Sequence, residues 1–268
     1  MILTLLQYTF LKELKNNFFS KWSYLTFILA DLGSLFVYFY TAKAFIPKSD
    51  FSAQVGGDYF SFIVLGELTL LIPVTLLSLY SQQIKQCYFN GTLDLLRVSG
   101  RGIEKNIISL ATPKLLIVLV KIIITFLFAI LLFDFHMPLK VSFGFLVLQL
   151  ISLPCFLGIG LAAAAVVIYF GRGDKALVVA SNFLTVLAGV YFPLTVFSEN
   201  IQSILVNFSP FGLLLNTVRE LSTGNLSLET NMVFIYFLVS LVIFLLGYAS
   251  IGISFKLLMK KKKAVVFT

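Results

Sequence analysis

Residues 115–133 read LLIVLVKIIITFLFAILLF, an apolar run interrupted by a single charge, Lys121. At 1.5 Å rise per residue, a helix of this length reaches about 28 Å, close to the roughly 30 Å hydrocarbon thickness of a bilayer. A helix on a soluble protein shows an apolar stripe and a polar face. This stretch has no polar face to offer water, so lipid is its expected solvent, and a helix satisfies its backbone there.

Working outward, five further stretches pass the same test: 22–45, 59–83, 141–170, 176–197 and 232–258. Six spans are therefore expected, with the long fourth one tilting or bending at Pro154. The stretch 22–45 exceeds the apolar core of a signal peptide and contains Asp31, which argues for a retained span. Composition agrees: the 268 residues are 59% hydrophobic and 12% charged, against about 45–50% and about 25% in soluble domains. Mean hydropathy is +0.99. The expected fold class is an all-α membrane protein, with one transmembrane domain over 1–268.

A formal net charge of +8 would suggest nucleic acid as the partner of a soluble protein. Here the basic residues flank the apolar stretches on one side of the membrane, the orientation signature of membrane proteins. Lys12, Lys15 and Lys21 precede the first span, and Lys85, Arg97, Arg101, Lys105 and Lys114 lie between the second and third. Arg172 and Lys175 follow the fourth span, and Lys256, Lys260, Lys261, Lys262 and Lys263 close the chain. The other side receives only Lys43, Lys48, Lys140 and Arg219. Both termini are expected to be cytoplasmic in a multi-pass protein of the plasma (inner) membrane, with the lipid bilayer and no nucleic acid as partner.

Three segments outside the spans carry information. Residues 3–19 mix Leu, Tyr and Phe with Gln7, Lys12, Glu13, Lys15 and Asn16, the pattern of an interfacial amphipathic helix. In the cytoplasmic loop 84–106, Asn90-Gly91 marks a turn. Thr92 can then cap a short helix carrying Leu93, Leu95, Leu96 and Val98. In 198–231 two apolar runs, 201–208 and 211–221, flank Ser209-Pro210. Each is too short to cross, which predicts interfacial or re-entrant helices. Within the fourth span, Gly158, Gly160, Ala162, Ala163, Ala164 and Ala165 predict close helix approach, within the subunit or at a dimer seam. The aromatic-rich stretch Leu35-Phe36-Val37-Tyr38-Phe39-Tyr40 reads as an interfacial belt or a surface for ligand stacking.

Chemistry has few places to reside. No phosphate-binding loop is present, since Gly171-Arg172-Gly173-Asp174-Lys175 lacks the required spacing. The sequence also lacks a nucleophile elbow and a His-Glu-x-x-His pair. The single His136 reads as a loop residue. Cys87, in the predicted cytoplasmic loop, and Cys155, deep in a span, are expected neither to pair nor to bind metal. The chain is expected to hold no catalytic residue, metal or cofactor, so any ATP hydrolysis must come from another polypeptide. Three intramembrane ionisable residues remain, and such residues need a reason. Asp31 and Lys121 are expected about 14 Å and about 9 Å from the cytoplasmic side, and Glu67 about 12 Å below the outer face. Asp31 and Lys121 can pair as an interhelical anchor; a place in a substrate path or in proton coupling is the alternative.

Asn90-Gly91-Thr92-Leu93-Asp94-Leu95-Leu96-Arg97-Val98-Ser99 resembles the Gly-Thr-Leu-Glu-x-Leu-x-x-Ser-Pro segment of permeases from type-2 ATP-binding cassette exporters, in their drug-exporter branch. Gly100 stands in place of the family's proline, and Phe89-Asn90 where the family has an acidic residue. A second stretch, Gly189-Val190-Tyr191-Phe192-Pro193 with Pro210 and Arg219, is similar to the family's Gly-x-x-Phe-Pro … Pro … Arg region. The resemblance implies that Gly91, Thr92, Leu93, Asp94, Leu95, Leu96 and Arg97 couple to an ATPase subunit, which carries ATP and Mg. It implies an outer gate at Phe192, Pro193, Pro210 and Arg219. It also implies a homodimer enclosing a path for an amphipathic or lipid-linked substrate, a drug, lipid or glycan. Two other readings stay open: an ion-coupled secondary transporter or channel using Asp31, Glu67 and Lys121, and a non-transporting scaffold or enzyme.

Overall fold

The computed structural model describes residues 21–44, 59–92, 103–135, 137, 139–171, 173–207, 209–223 and 230–260. They form eight α-helices and one 3-10 turn, with no strand among the described residues. The helices are α1 (Lys21–Ala44), α2 (Tyr59–Phe89), α3 (Ile103–Phe133), α4 (Leu139–Phe170), α5 (Asp174–Leu187), α6 (Glu199–Asn207), α7 (Pro210–Ser222) and α8 (Thr230–Lys260); the 3-10 turn is Leu194–Val196. By length and composition, α2, α3, α4 and α8 are able to cross a membrane. A fifth crossing arises if α6 and α7, bent by 95° to each other, act as one broken span. The segment 3–19 and residues 93–97 lie outside the described residues.

Helix α2 is the hub. It packs on α1, α3, α4, α5 and α7, and its side chains Phe60, Val64, Leu68, Leu76, Tyr80 and Ile84 are all buried. The helix runs on to Phe89, past the expected end at 83, so Cys87 is a buried helical residue and not a loop cysteine. Its end is chemically defined. The amides of Gly91 and Thr92 return to the carbonyls of Tyr88 and Cys87 at 3.0 and 2.9 Å, and Gly91 takes φ 66°. That is a Schellman cap, which favours glycine at the left-handed position.

The longest contact in the bundle joins α4 to α8, and it has a regular basis. Ser240 Oγ donates to the Ile151 carbonyl at 3.1 Å, and Ser254 Oγ donates to the Ala165 carbonyl at 2.7 Å. Midway, a Cβ on Gly247 would strike the Gly158 backbone, and one on Gly158 would strike Ile243 and Phe244. Residues 151, 158 and 165 thus meet 240, 247 and 254 at a constant offset, so the two helices run parallel, with a seven-residue repeat of small side chains on α8 (Ser240, Gly247 and Ser254). On another face of α4, a Cβ on Gly160 would strike the Leu76 carbonyl of α2. Gly158, Gly160 and Ala165 of α4 serve packing within the subunit.

Prolines inside α2, α3 and α4 leave those helices continuous. Pro73 cannot donate to the Thr69 carbonyl four residues earlier. Gln149 Nε2 on α4 makes that bond instead, at 2.8 Å. A borrowed donor from the neighbouring helix replaces the missing amide.

The expected fifth span, 176–197, is not one helix. α5 stops at Leu187 after 14 residues. The cause is a second Schellman cap: Gly189 takes φ 85°, its amide reaches the Val186 carbonyl at 3.0 Å, and the Val190 amide reaches Thr185 at 3.5 Å. The chain then turns through Pro193 into the 3-10 turn. α7 starts at Pro210 behind the N-cap Ser209, whose Oγ accepts from the Gly212 amide.

Candidate functional site

Three helices present polar groups to one cavity of about 60 Å³. On α1 these are Asp31, Ser34 and Tyr38 beside Leu35, and on α2 Glu67 beside Val64, Leu68 and Leu71. Both sets follow the spacing i, i+3, i+4, i+7, which places each on one helix face. α3 supplies Lys121 and Thr125, four residues apart.

The two carboxylates sit in different surroundings. Asp31 is almost fully buried, and Lys121 Nζ lies 3.0 Å from its Oδ1. Thr125 Oγ1, which also donates to the Lys121 carbonyl at 2.9 Å, lies 3.3 Å from Oδ2. This carboxylate has its counter-ion. Glu67 receives two phenols on one oxygen: Tyr38 Oη donates to Oε1 at 3.0 Å, and Tyr191 Oη does so at 2.6 Å. Glu67 forms no salt bridge with a basic side chain among the described residues.

Tyr191 comes from the break after α5, and the break is held firmly. Tyr59 Oη donates to the Tyr191 carbonyl at 2.8 Å. Arg219 of α7 donates through Nη2 to the Gly189 carbonyl at 2.8 Å and lies 3.4 Å from that of Val190. Its guanidinium stacks 3.5 Å over the Phe62 ring. At the adjoining Gly66 of α2, a Cβ would come within 3.1 Å of Val190 and 3.4 Å of Arg219. Arg219 therefore caps the backbone that α5 abandons and aims Tyr191 at Glu67.

The structure joins Asp31, Lys121 and Glu67 around one cavity and ties Arg219 to it through Tyr191. Phe192 packs on Phe197 with ring centroids 5.5 Å apart, next to the buried Pro193. Pro210 does not join them, since it opens α7 nine residues before Arg219, about 13 Å along the helix. Of the segment matched to coupling, Gly91 and Thr92 end α2, whereas Leu93, Asp94, Leu95, Leu96 and Arg97 lie outside the described residues. The aromatic stretch of α1 faces inward in part. Phe39 packs on Phe60 and Phe133, and Phe36 on Phe133.

Tyr38, Thr125 and Tyr191 escape a reading that looks only for charges. Tyr38 lies seven residues after Asp31 and Thr125 four after Lys121, so facial spacing was the signal available for both. Among the described residues no group of three His, Cys, Asp or Glu side chains converges as a metal site. No protein-family model matches the chain, and no curated protein matches it.

Proposed function

We propose that the chain is the membrane-spanning subunit of an ATP-driven exporter of the type-2 ATP-binding cassette kind. It would act as a homodimer, export an amphipathic or lipid-linked substrate, and draw its power from a separate ATPase subunit that binds ATP and Mg. In this reading α1, α2, α3, α4 and α8 are spans, the stretch from α5 through the turn at Pro193 is a broken sixth, the termini are cytoplasmic in the plasma membrane, and α6 and α7 re-enter from outside. Phe192, Pro193, Pro210 and Arg219 line the outer side.

One observation supports this reading above the rest. The segment Gly91–Arg97, with the exporter-like residues, leaves directly from the capped end of α2, the helix on which five others pack. A push that reaches that end of α2 is carried along the helix to the centre of the bundle. Leu93, Leu95 and Leu96 offer the apolar knob such a partner would grip.

The test is co-purification. When the chain is expressed with a candidate ATPase encoded beside it, replacing Leu93 and Leu96 together with Asp should abolish ATPase capture and transport while leaving membrane insertion intact. Undiminished capture would refute the docking role. Glu67, which has no salt bridge among the described residues, favours a second reading, an ion-driven transporter using Asp31, Glu67 and Lys121. Uphill transport in vesicles holding this chain alone would establish it.

A further inference from the structure

We infer that the cavity between α1, α2 and α3 binds the ammonium group of an amphipathic amine, with Glu67 as its counter-charge. Lys121 Nζ lies 3.0 Å from Asp31, whereas Glu67, the cavity's other acidic side chain, forms no salt bridge among the described residues. An acidic side chain at membrane depth calls for a partner, and a guest of single positive charge supplies one.

The acceptors fit a primary ammonium. Tyr38, which lines the cavity with Glu67, has used its hydroxyl hydrogen on Glu67 Oε1, as Tyr191 has behind it, which leaves Glu67 Oε2 and the Tyr38 oxygen as acceptors for the N–H donors of the guest. The Tyr38 ring adds attraction for a cation lying over it. Lys121 demonstrates the same manner of binding, since it is itself an ammonium on an alkyl stem lining this cavity.

Size and lining select the rest of the guest. A volume of about 60 Å³ corresponds to roughly four water molecules, enough for an ammonium group and two or three methylenes. Leu35, Val64, Leu68 and Leu71 form the apolar wall against which that stem lies. A divalent ion would require six or more oxygens, and no cluster of three acidic, His or Cys ligands converges among the described residues. Binding needs only this chain; that the amine is the exported cargo rests on the exporter reading.

The experiment is calorimetric titration of the full-length chain in nanodiscs with n-hexylamine at neutral pH, with n-hexanol and sodium chloride as controls. Saturable heat is expected with hexylamine alone. Glu67→Gln, which keeps an acceptor for both phenols, should weaken it about tenfold or more, with elution volume and melting temperature unchanged. Tyr38→Phe should weaken it about threefold. Equal affinity in wild type and Glu67→Gln, or in wild type and Tyr38→Phe, overturns the inference, as does displacement of hexylamine by sodium. Glu67-dependent binding without any associating ATPase would instead defeat the exporter reading alone.

Discussion

Helices α2 and α3 are the same length, 31 residues each, yet they occupy opposite environments. Within the most apolar window of α2, 78% of residues are buried inside the protein, against 6% for α3. The more apolar helix is the outer one. In water the order would be reversed, because burial there follows hydrophobicity. In lipid the tails are as apolar as leucine, and helices associate through small residues and hydrogen bonds. α2 carries Gly66, Thr69, Ser78, Ser81 and Gln83 and goes to the centre, whereas α3 turns Ile123, Leu127 and Leu131 outward.

Three substitutions probe that contrast. The largest effect is expected at the inner packing: Gly158→Val drives a side chain into the α8 backbone at Ile243 and Phe244. A cost of about 3 kcal/mol should appear as a sharply lowered melting temperature in detergent. An unchanged melt would show that the small-residue seam is not what fixes α4 to α8. Next comes Asp31→Ala, which strips Lys121 of its partner. Losing one member of a buried pair costs about 3–5 kcal/mol, and because a third of the Lys121 side chain is exposed, about 2 kcal/mol is expected. Asp31→Ala combined with Lys121→Met should recover most of it in the same melt; no recovery would mean the pair does not anchor α1 to α3.

The smallest effect is expected on the outer face. Leu131 is 74% exposed, and Leu131→Ala should change stability by less than about 0.5 kcal/mol. A larger loss, with a shift in oligomeric state on size exclusion, would show that this face of α3 meets a second protein surface and not lipid.

The apolar stretches and the pairing of Asp31 with Lys121 could be read from composition, spacing and depth, because a span must be long and its charges need partners. Which side of each helix turns inward could not. A run such as 115–133 is apolar all round, and the inward signal lies in scattered small residues. Ser240, Gly247 and Ser254 keep a spacing of seven that matches 151, 158 and 165, but each half of the repeat is mute without the other. The end of α5 was hidden for a related reason. Residues 176–197 are apolar enough to continue, and a single glycine at positive φ stops the helix. Tyr191 reaches Glu67 only because of that stop, so this part of the site followed from a local backbone event and not from hydropathy.

The loan of Gln149 to the Thr69 carbonyl ties the shape of α2 to the position of its neighbour. Were α4 to slide along α2 by half a turn, Thr69 would lose its donor in surroundings without water, and the helix would have to break open at Pro73 or find a substitute. Displacement of α4 along α2 is therefore resisted. One side-chain amide thus holds the two helices in register.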